Sequence, residues 1–283
     1  IGPMRQSQVQ ELLSLPALDV RTMTLNRVDK SIENPPKNLI QFGLSALDEV
    51  EQIAERAWLE GQSNVLLIAP DNGWGQRATD YFVSSWTARG GVVTDAISYP
   101  SAVKDFTKLL KAPLEIDLSE KRGLEMRRSI NSSLSYTARR RDDIDLVIVL
   151  GYSKQARQIK PSLDFLYAGD IPVYASSHIY NGTQQIELNR DLSGVEFSAM
   201  NWTLDGHMPR PLKPDPRLPT AYRQLYALGY DAFLLHAMLG EMEKPDAIPV
   251  FGSTGMLTID QAVVKRHEKW ATFKKGQAVP VKP

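Results

Sequence analysis

The chain has 283 residues, 33 Lys+Arg against 33 Asp+Glu, 42% hydrophobic residues and no cysteine. That length supports one large domain or two smaller ones with their own cores and excludes a disordered tail. A formal net charge of zero argues against nucleic acid and anionic lipid as partners, since both are bound by neutralising phosphate. The missing thiols exclude disulfides, thiolate zinc sites and cysteine nucleophiles.

The longest apolar runs, residues 65–69 and 146–150, fall far short of the roughly 20 residues that cross a bilayer, so no transmembrane segment is expected. Ile1-Gly2-Pro3 carries no basic stretch, apolar core or cleavage site, which places any targeting signal outside this sequence.

Ser45 opens the clearest helix. Ser45-Ala46-Leu47-Asp48 has capping-box spacing, apolar residues recur at Leu47, Val50, Ile53, Ala54, Ala57 and Trp58, and Gly61 stands at the stop. Residues 64–69 form a continuous apolar run closed by Pro70-Asp71-Asn72-Gly73, the pattern of a strand buried on both faces in a parallel sheet. A helix over 76–89 and a strand over 92–99 follow, then a buried strand over 145–150, a helix over 154–168 broken near Pro161, and a strand over 171–175. This alternation predicts an α/β fold of βαβ units.

Two segments interrupt the rhythm. Residues 115–143 are dense in charge and read as a solvated helical excursion or as a protein-docking surface. Residues 208–219 hold five prolines and predict an extended loop, followed by a long helix capped by Thr220. Such excursions suggest two lobes, one of residues 1–94 and 203–249, the other of 95–202 and 250–283. Crossings between them are expected near 91–99, 195–202 and 250–257, and the chain is expected to close with a glycine-rich turn at 252–255 leading into a final β segment.

No catalytic constellation assembles from the sequence. Gly73-Trp74-Gly75-Gln76-Arg77-Ala78, with Asp95 about 20 residues on, matches the dinucleotide fingerprint formally. Against that reading, Pro70-Asp71-Asn72 separates the strand from the first glycine, and a tryptophan crowds the pyrophosphate approach. Ser101-Ala102-Val103-Lys104 and Ser129-Ile130-Asn131 match S-x-x-K and S-x-N without the K-T-G triplet of a penicillin-reactive site, and no G-x-S-x-G elbow occurs. His178, His207, His236 and His267 lack metal-ligand spacing, and Asp142-Asp143 lies in a charged run where a raised pKa is not expected. No catalytic residue, metal or cofactor is therefore expected.

What remains is the rule that α/β sheets bind ligands beyond the carboxyl ends of their strands. Those ends carry Asn72, Gly73 and Trp74, then Gly151, Tyr152 and Ser153, then Ser176, Ser177 and His178, polar, aromatic and small residues that suit a binding crevice between lobes or ordinary loops.

The order of Phe42-Gly43-Leu44-Ser45, Val65 to Pro70 with Asn72-Gly73-Trp74-Gly75, and Gly252-Ser253-Thr254-Gly255-Met256-Leu257 resembles type I periplasmic solute-binding proteins of the branched-chain amino-acid kind. Residues 139–145, 155–161, 168–177 and 191–195, with Asn201-Trp202, are similar to the C-terminal domain of the LpoA lipoproteins, the LppC or YraM family. The resemblance covers essentially the whole chain.

It implies a bilobed type I periplasmic-binding-protein-like fold of two mostly parallel sheets, the first lobe lacking early strands that precede Ile1. It also implies a non-catalytic lipoprotein, anchored at the periplasmic face of the outer membrane through a part outside this chain. Such a protein binds a class A penicillin-binding protein and stimulates peptidoglycan cross-linking. Arg139, Arg140, Arg141, Asp142 and Asp143 are candidates for the docking surface. Tyr152 corresponds to a ligand-contacting tyrosine of the receptors, whereas Ser177 stands where they carry the acid that holds the ligand's ammonium. The alternative function is a periplasmic receptor for a small polar ligand in the interlobe cleft.

Overall fold

The computed structural model describes residues 1–28, 34–130, 135–204, 206, 213–244 and 246–281. The chain divides into two compact units. Unit 1 comprises Ile1–Gln52, Asn181–Thr183 and Ser198–Trp270; unit 2 comprises Ile53–Tyr180, Gln184–Phe197 and Ala271–Pro283.

Unit 1 begins with α1 (Gln6–Leu13), β1 (Ala17–Thr24), β2 (Lys37–Gln41) and the first part of α2 (Ala46–Leu59). Ser45 caps α2 by accepting from the Leu47 amide at 3.2 Å. The capping-box acid does not reach back: Asp48 is held by Arg27, with Arg27 Nη2 2.8 Å from Asp48 Oδ1. After Ser198 the unit adds α8 (Thr220–Met242), β8 (Val250–Phe251), β9 (Met256–Asp260) and β10 (Val263–His267). Its sheet runs β1-β2-β10-β9-β8, with parallel pairing of β1 and β2 and of β2 and β10, and antiparallel pairing of β10 with β9 and of β9 with β8. Leu228, Ala232, Leu235, Leu239 and Met242 form one stripe of α8 and join the core with Met23, Ile40, Phe42, Val250, Leu257 and Val264. The long helix starts at Thr220 with Pro219, not Thr220, in the capping position. Residues 208–212 of the proline-rich segment, with His207, lie outside the described residues, and 213–219 form turns and irregular chain, with no helix or strand, up to the helix.

Unit 2 carries the seven-stranded sheet β12-β11-β7-β6-β5-β3-β4. In chain order its elements are β3 (Asn64–Pro70), α3 (Gly73–Ala88), β4 (Val92–Tyr99), α4 (Phe106–Lys111), α5 (Ile116–Ile130), β5 (Leu146–Val149), α6 (Ser153–Phe165), β6 (Val173–Ala175), α7 (Ile186–Asn189), β7 (Glu196–Ala199), β11 (Lys269–Lys274) and β12 (Gln277–Pro280). β4, β3, β5, β6 and β7 pair in parallel, as the unbroken apolar runs of β3 and β5 predict for the centre of the sheet. Val65 to Ile68 and Leu146 to Val149 are all buried.

Several expectations are corrected. The lobe boundary drawn after residue 94 is replaced by one after Gln52, because β3 pairs with β5, Val65 opposite Leu146, and so carries α3 and β4 into unit 2. The chain passes between units at 52–53, 180–181, 183–184, 197–198 and 270–271; one of these falls within the expected 195–202, and none within 91–99 or 250–257. Residues 256–280 hold two β-hairpins rather than one final segment. Helix α6 runs through Pro161 without a break; a proline removes one helical hydrogen bond, and the surrounding turns hold the rest.

Candidate functional site

At the carboxyl edge of the unit 2 sheet, β3, β5 and β6 each end in a short polar loop. Asn72 follows β3 in an extended conformation, and its Oδ1 accepts from the Gly75 amide at 2.8 Å, which starts α3 at Gly73. A Cβ on residue 75 would lie 2.0 Å from the Pro70 carbonyl oxygen. Glycine is therefore required for helix against strand, and the helix start holds Trp74 over the loop ends.

Trp74 is half-buried, and its ring centroid lies 4.7 Å from that of His178 and 5.9 Å from that of Tyr152. Tyr152 and His178 meet edge-on at 5.7 Å. The three rings come from three different strand ends. Tyr152 occupies the capping position of α6 and is 43% exposed, and Ser153 is the first helical residue. Beneath them, Gly151 leaves room for Tyr99: a Cβ there would lie 2.4 Å from the Tyr99 hydroxyl, whose pKa burial pushes up to about 12.

Ser176 is buried, with its hydroxyl 3.4 Å from His178 Nδ1. Ser177 opens a short 3-10 turn whose first carbonyl accepts from Tyr180. The indole Nε1–H of Trp74 is buried and has no acceptor among the described residues, and leaving a buried donor unpaired costs about 1–3 kcal/mol.

The strand-end candidates thus gather at one sheet edge, with Trp74 touching Tyr152. His178, which lacks metal-ligand spacing but stands in the strand-end set beyond β6, is the ring that joins these two.

The dinucleotide pattern does not survive. Asp95 pairs in register with Leu66, four residues and roughly 13 Å before Pro70 along the strand, so it stands toward the opposite end of the sheet from Gly73 and Gly75. Ser129-Ile130-Asn131 falls partly outside the described residues. Among the described residues, no three His, Cys, Asp or Glu side chains are grouped to hold a metal ion.

The charged excursion is helical over α5, where only Ile116 is buried. Arg140 Nη2 lies 2.9 Å from Asp170 while its Nε donates to the Tyr167 carbonyl. Arg141 grips Asp143 in a two-point pair at 2.6 and 2.7 Å, which holds the Asp143 carboxyl below its usual range. Arg139 and Asp142 are exposed. Within the run Arg141 pairs with Asp143, while Arg140 reaches outside it to Asp170, and neither Arg139 nor Asp142 has an ion-pair partner among the described residues.

Unit 1 holds two buried polar nodes that sequence reasoning missed. Asp231 of α8 is fully buried and accepts from the Ser253 amide at 2.5 Å, the Thr254 amide at 2.8 Å and the Thr254 hydroxyl at 2.6 Å. Asn201 Nδ2 donates to the Gly252 carbonyl at 2.8 Å, and the Trp202 amide donates to the Ser253 carbonyl at 3.0 Å. In the second node, Arg266 lies between Glu268, which it contacts closely, and Glu49 at 3.5 Å. Gln52 donates to the Arg266 carbonyl and accepts from the Glu268 amide. Burial, with the nearby Glu49 carboxylate, pushes Glu268 up to about 8.

The family model described as "LppC putative lipoprotein" matches residues 1–276. The chain belongs to the LppC family. A penicillin-binding protein activator LpoA from Edwardsiella ictaluri is 26% identical over 296 aligned positions, which cover 99% of this chain and 43% of the relative. The LppC chain therefore spans less than half the length of that relative.

Two solved structures share the fold. The LpoA (YraM) C-domain of Haemophilus influenzae, described as a regulator of PBP1A, superposes with a TM-score of 0.68 at 22% identity, covering 99% of this chain and 80% of that one. A type 1 periplasmic binding protein of Bordetella pertussis gives 0.53 at 17% identity, covering 92% and 73%. The LppC chain has the type I periplasmic-binding-protein-like fold. No helix among the described residues is long and apolar enough to cross a membrane.

Proposed function

We propose that this chain is the regulatory module of an outer-membrane lipoprotein that binds a class A penicillin-binding protein from the periplasmic side and stimulates its cross-linking activity without chemistry of its own. The observation that carries this reading is the family match over nearly the whole chain, with a relative that bears the name of a penicillin-binding protein activator. Activation of this kind requires the module to bind the active state of the synthase more tightly than the inactive one; a tenfold shift in that equilibrium needs about 1.4 kcal/mol of differential affinity. Arg139, Arg140, Arg141, Asp142 and Asp143 are the proposed contact.

Surface plasmon resonance against a purified class A penicillin-binding protein, with cross-linking measured in the same samples, tests the reading. Saturable binding with increased cross-linking is expected. A folded chain that neither binds nor stimulates overturns it.

A second reading is favoured by one specific observation, the buried indole N–H of Trp74, which has no acceptor among the described residues and lies beside Tyr152 and His178. In it, a small polar ligand accepts from that N–H and stacks on the rings, with Asn72, Ser153, Ser176 and Ser177 around it. A metabolite that raises the melting temperature of the wild type but not of Trp74→Ala supports this reading; a metabolite panel with no such shift removes it.

A further inference from the structure

Unit 2 has a second concavity, about 700 Å3 in volume, that the strand-end residues do not line. One wall is the loop after β4 leading into α4; the other is a single stripe of α6, where Lys154, Gln158 and Ser162 recur at four-residue spacing. The Thr107 and Ser162 hydroxyls lie 3.3 Å apart and tie the two walls together. Phe106, buried against Tyr99 at 5.3 Å between ring centroids, anchors the loop wall.

Two features define what the groove can recognise. Its remaining polar lining is neutral hydroxyl and amide, from Ser101, Gln155 and Gln158, flanked by the small apolar Ala102 and Val103. Neutral groups of this kind both donate and accept, and so match sugar hydroxyls and acetamido groups in either sense.

The second feature is charge. Lys104 on the loop wall and Lys154 on the helix wall are exposed and have no ion-pair partner among the described residues. The one acid of the lining, Asp105, accepts from the Lys108 amide in capping α4. Ser101 and Lys104, an S-x-x-K pair with no place in a serine acyl-transfer site, both face this groove. Its volume lies within the range of small-ligand sites.

We propose that this groove binds an acidic oligosaccharide, with amides and hydroxyls on the sugar rings and the two lysines on carboxylates. The choice of probe rests on the proposed role in wall synthesis. An alternating N-acetylglucosamine and N-acetylmuramic acid tetrasaccharide, which carries two carboxylates, is titrated into isotopically labelled protein and followed by amide resonances, with the neutral N-acetylglucosamine tetramer as comparison.

Saturable shifts at Gln155, Gln158 and residues 101–107 are expected for the acidic probe. The exposed, unpaired double variant Lys104→Ala/Lys154→Ala, which leaves the core intact, weakens that binding about tenfold. Gln158→Glu sets a negative charge in the groove and abolishes acidic binding while sparing the weaker neutral binding. Absence of saturable shifts, equal binding of the two probes, or shifts confined to Trp74 and Tyr152 overturns the proposal. Synthase stimulation by the wild type, measured in parallel, separates the cases: stimulation without glycan binding removes the groove and leaves the activator reading, whereas glycan binding without stimulation does the reverse.

Discussion

Asp231→Asn keeps the size of a buried side chain and changes only what it accepts. In the native protein both carboxylate oxygens face donors, Oδ1 the Ser253 amide and Oδ2 the amide and hydroxyl of Thr254. An asparagine oxygen can serve Thr254, but its NH2 then points at the Ser253 N–H, and two donors are left without acceptors. A hydrogen bond to a charged group contributes about 1.5–3 kcal/mol and a buried orphan costs about 1–3 kcal/mol. Burial raises the Asp231 pKa despite its three donors, so the neutral amide recovers some desolvation, of the order of 1 kcal/mol. The net expectation is a loss of about 2–4 kcal/mol, or about 10 °C in melting temperature for a unit of this size. Circular dichroism melts supply the assay. Trp202 fluorescence reports the same event locally, since Trp202 is hydrogen-bonded to the turn that Asp231 holds. A shift under about 2 °C for both Asp231→Asn and Asp231→Ala would refute the reasoning, because it would mean that the three donors find water or other partners at no cost.

Three further outcomes are expected. Gly75→Ala drives a Cβ into the Pro70 carbonyl and forces the start of α3 off β3; a loss of about 3 kcal/mol is expected, with altered Trp74 fluorescence, and a native-like melt would count against the required close approach. Glu268 has its carboxyl raised from 4.5 to about 8, so the folded state keeps a proton that the unfolded chain releases; its contribution to stability is full below about 4.5 and is lost as pH rises through about 8. Urea midpoints measured from pH 5 to pH 8 are expected to fall for the wild type and to stay flatter for Glu268→Gln; parallel profiles would show that Glu268 does not govern the slope. Arg139→Glu reverses an exposed charge without disturbing the Arg140–Asp170 and Arg141–Asp143 pairs, so it is expected to weaken synthase binding severalfold with an unchanged melt, and unchanged affinity would remove this stretch from the docking surface.

The elements easiest to read were those whose pattern is local. Residues 65–70 and 146–149 are unbroken apolar runs because parallel strands are covered on both faces, and the spacing around 47–58 is that of one helix stripe. What could not be read depends on partners far away in the chain. That β3 lies beside β5 is decided by a crossover of more than 70 residues, and the unit boundary follows from it. The β9–β10 hairpin was invisible for a different reason: its turn places Gln261 and Ala262 at φ of 44° and 65°, a left-handed pair usually filled by Asn-Gly or Gly-Gly. Sheet pairing overrides the local preference there.

The candidate site was legible as positions and not as contacts. Asn72, Trp74, Tyr152, Ser153, Ser176, Ser177 and His178 follow from the strand-end rule, yet nothing in the sequence marks His178 as the ring between two others. The residues that carried the resemblance divide along the same line. Gly252 to Thr254, Asn201 and Trp202 close around Asp231, and Ser45 caps α2. These residues hold a frame, and a frame shared with solute receptors does not bring their ligand chemistry with it. At the sheet edge the side chains that gather are aromatic rings and hydroxyls, and Ser177 stands where the resemblance implies an acid. A buried ammonium there would lack the carboxylate that offsets its desolvation. The rings and the Trp74 N–H instead suit a ligand that stacks and accepts a hydrogen bond. One helix joins the two sites of unit 2, since α6 begins under Tyr152 and presents Lys154, Gln158 and Ser162 to the groove beside it. A ligand that stiffened the first turn of α6 from either side would lower the ordering cost for the other.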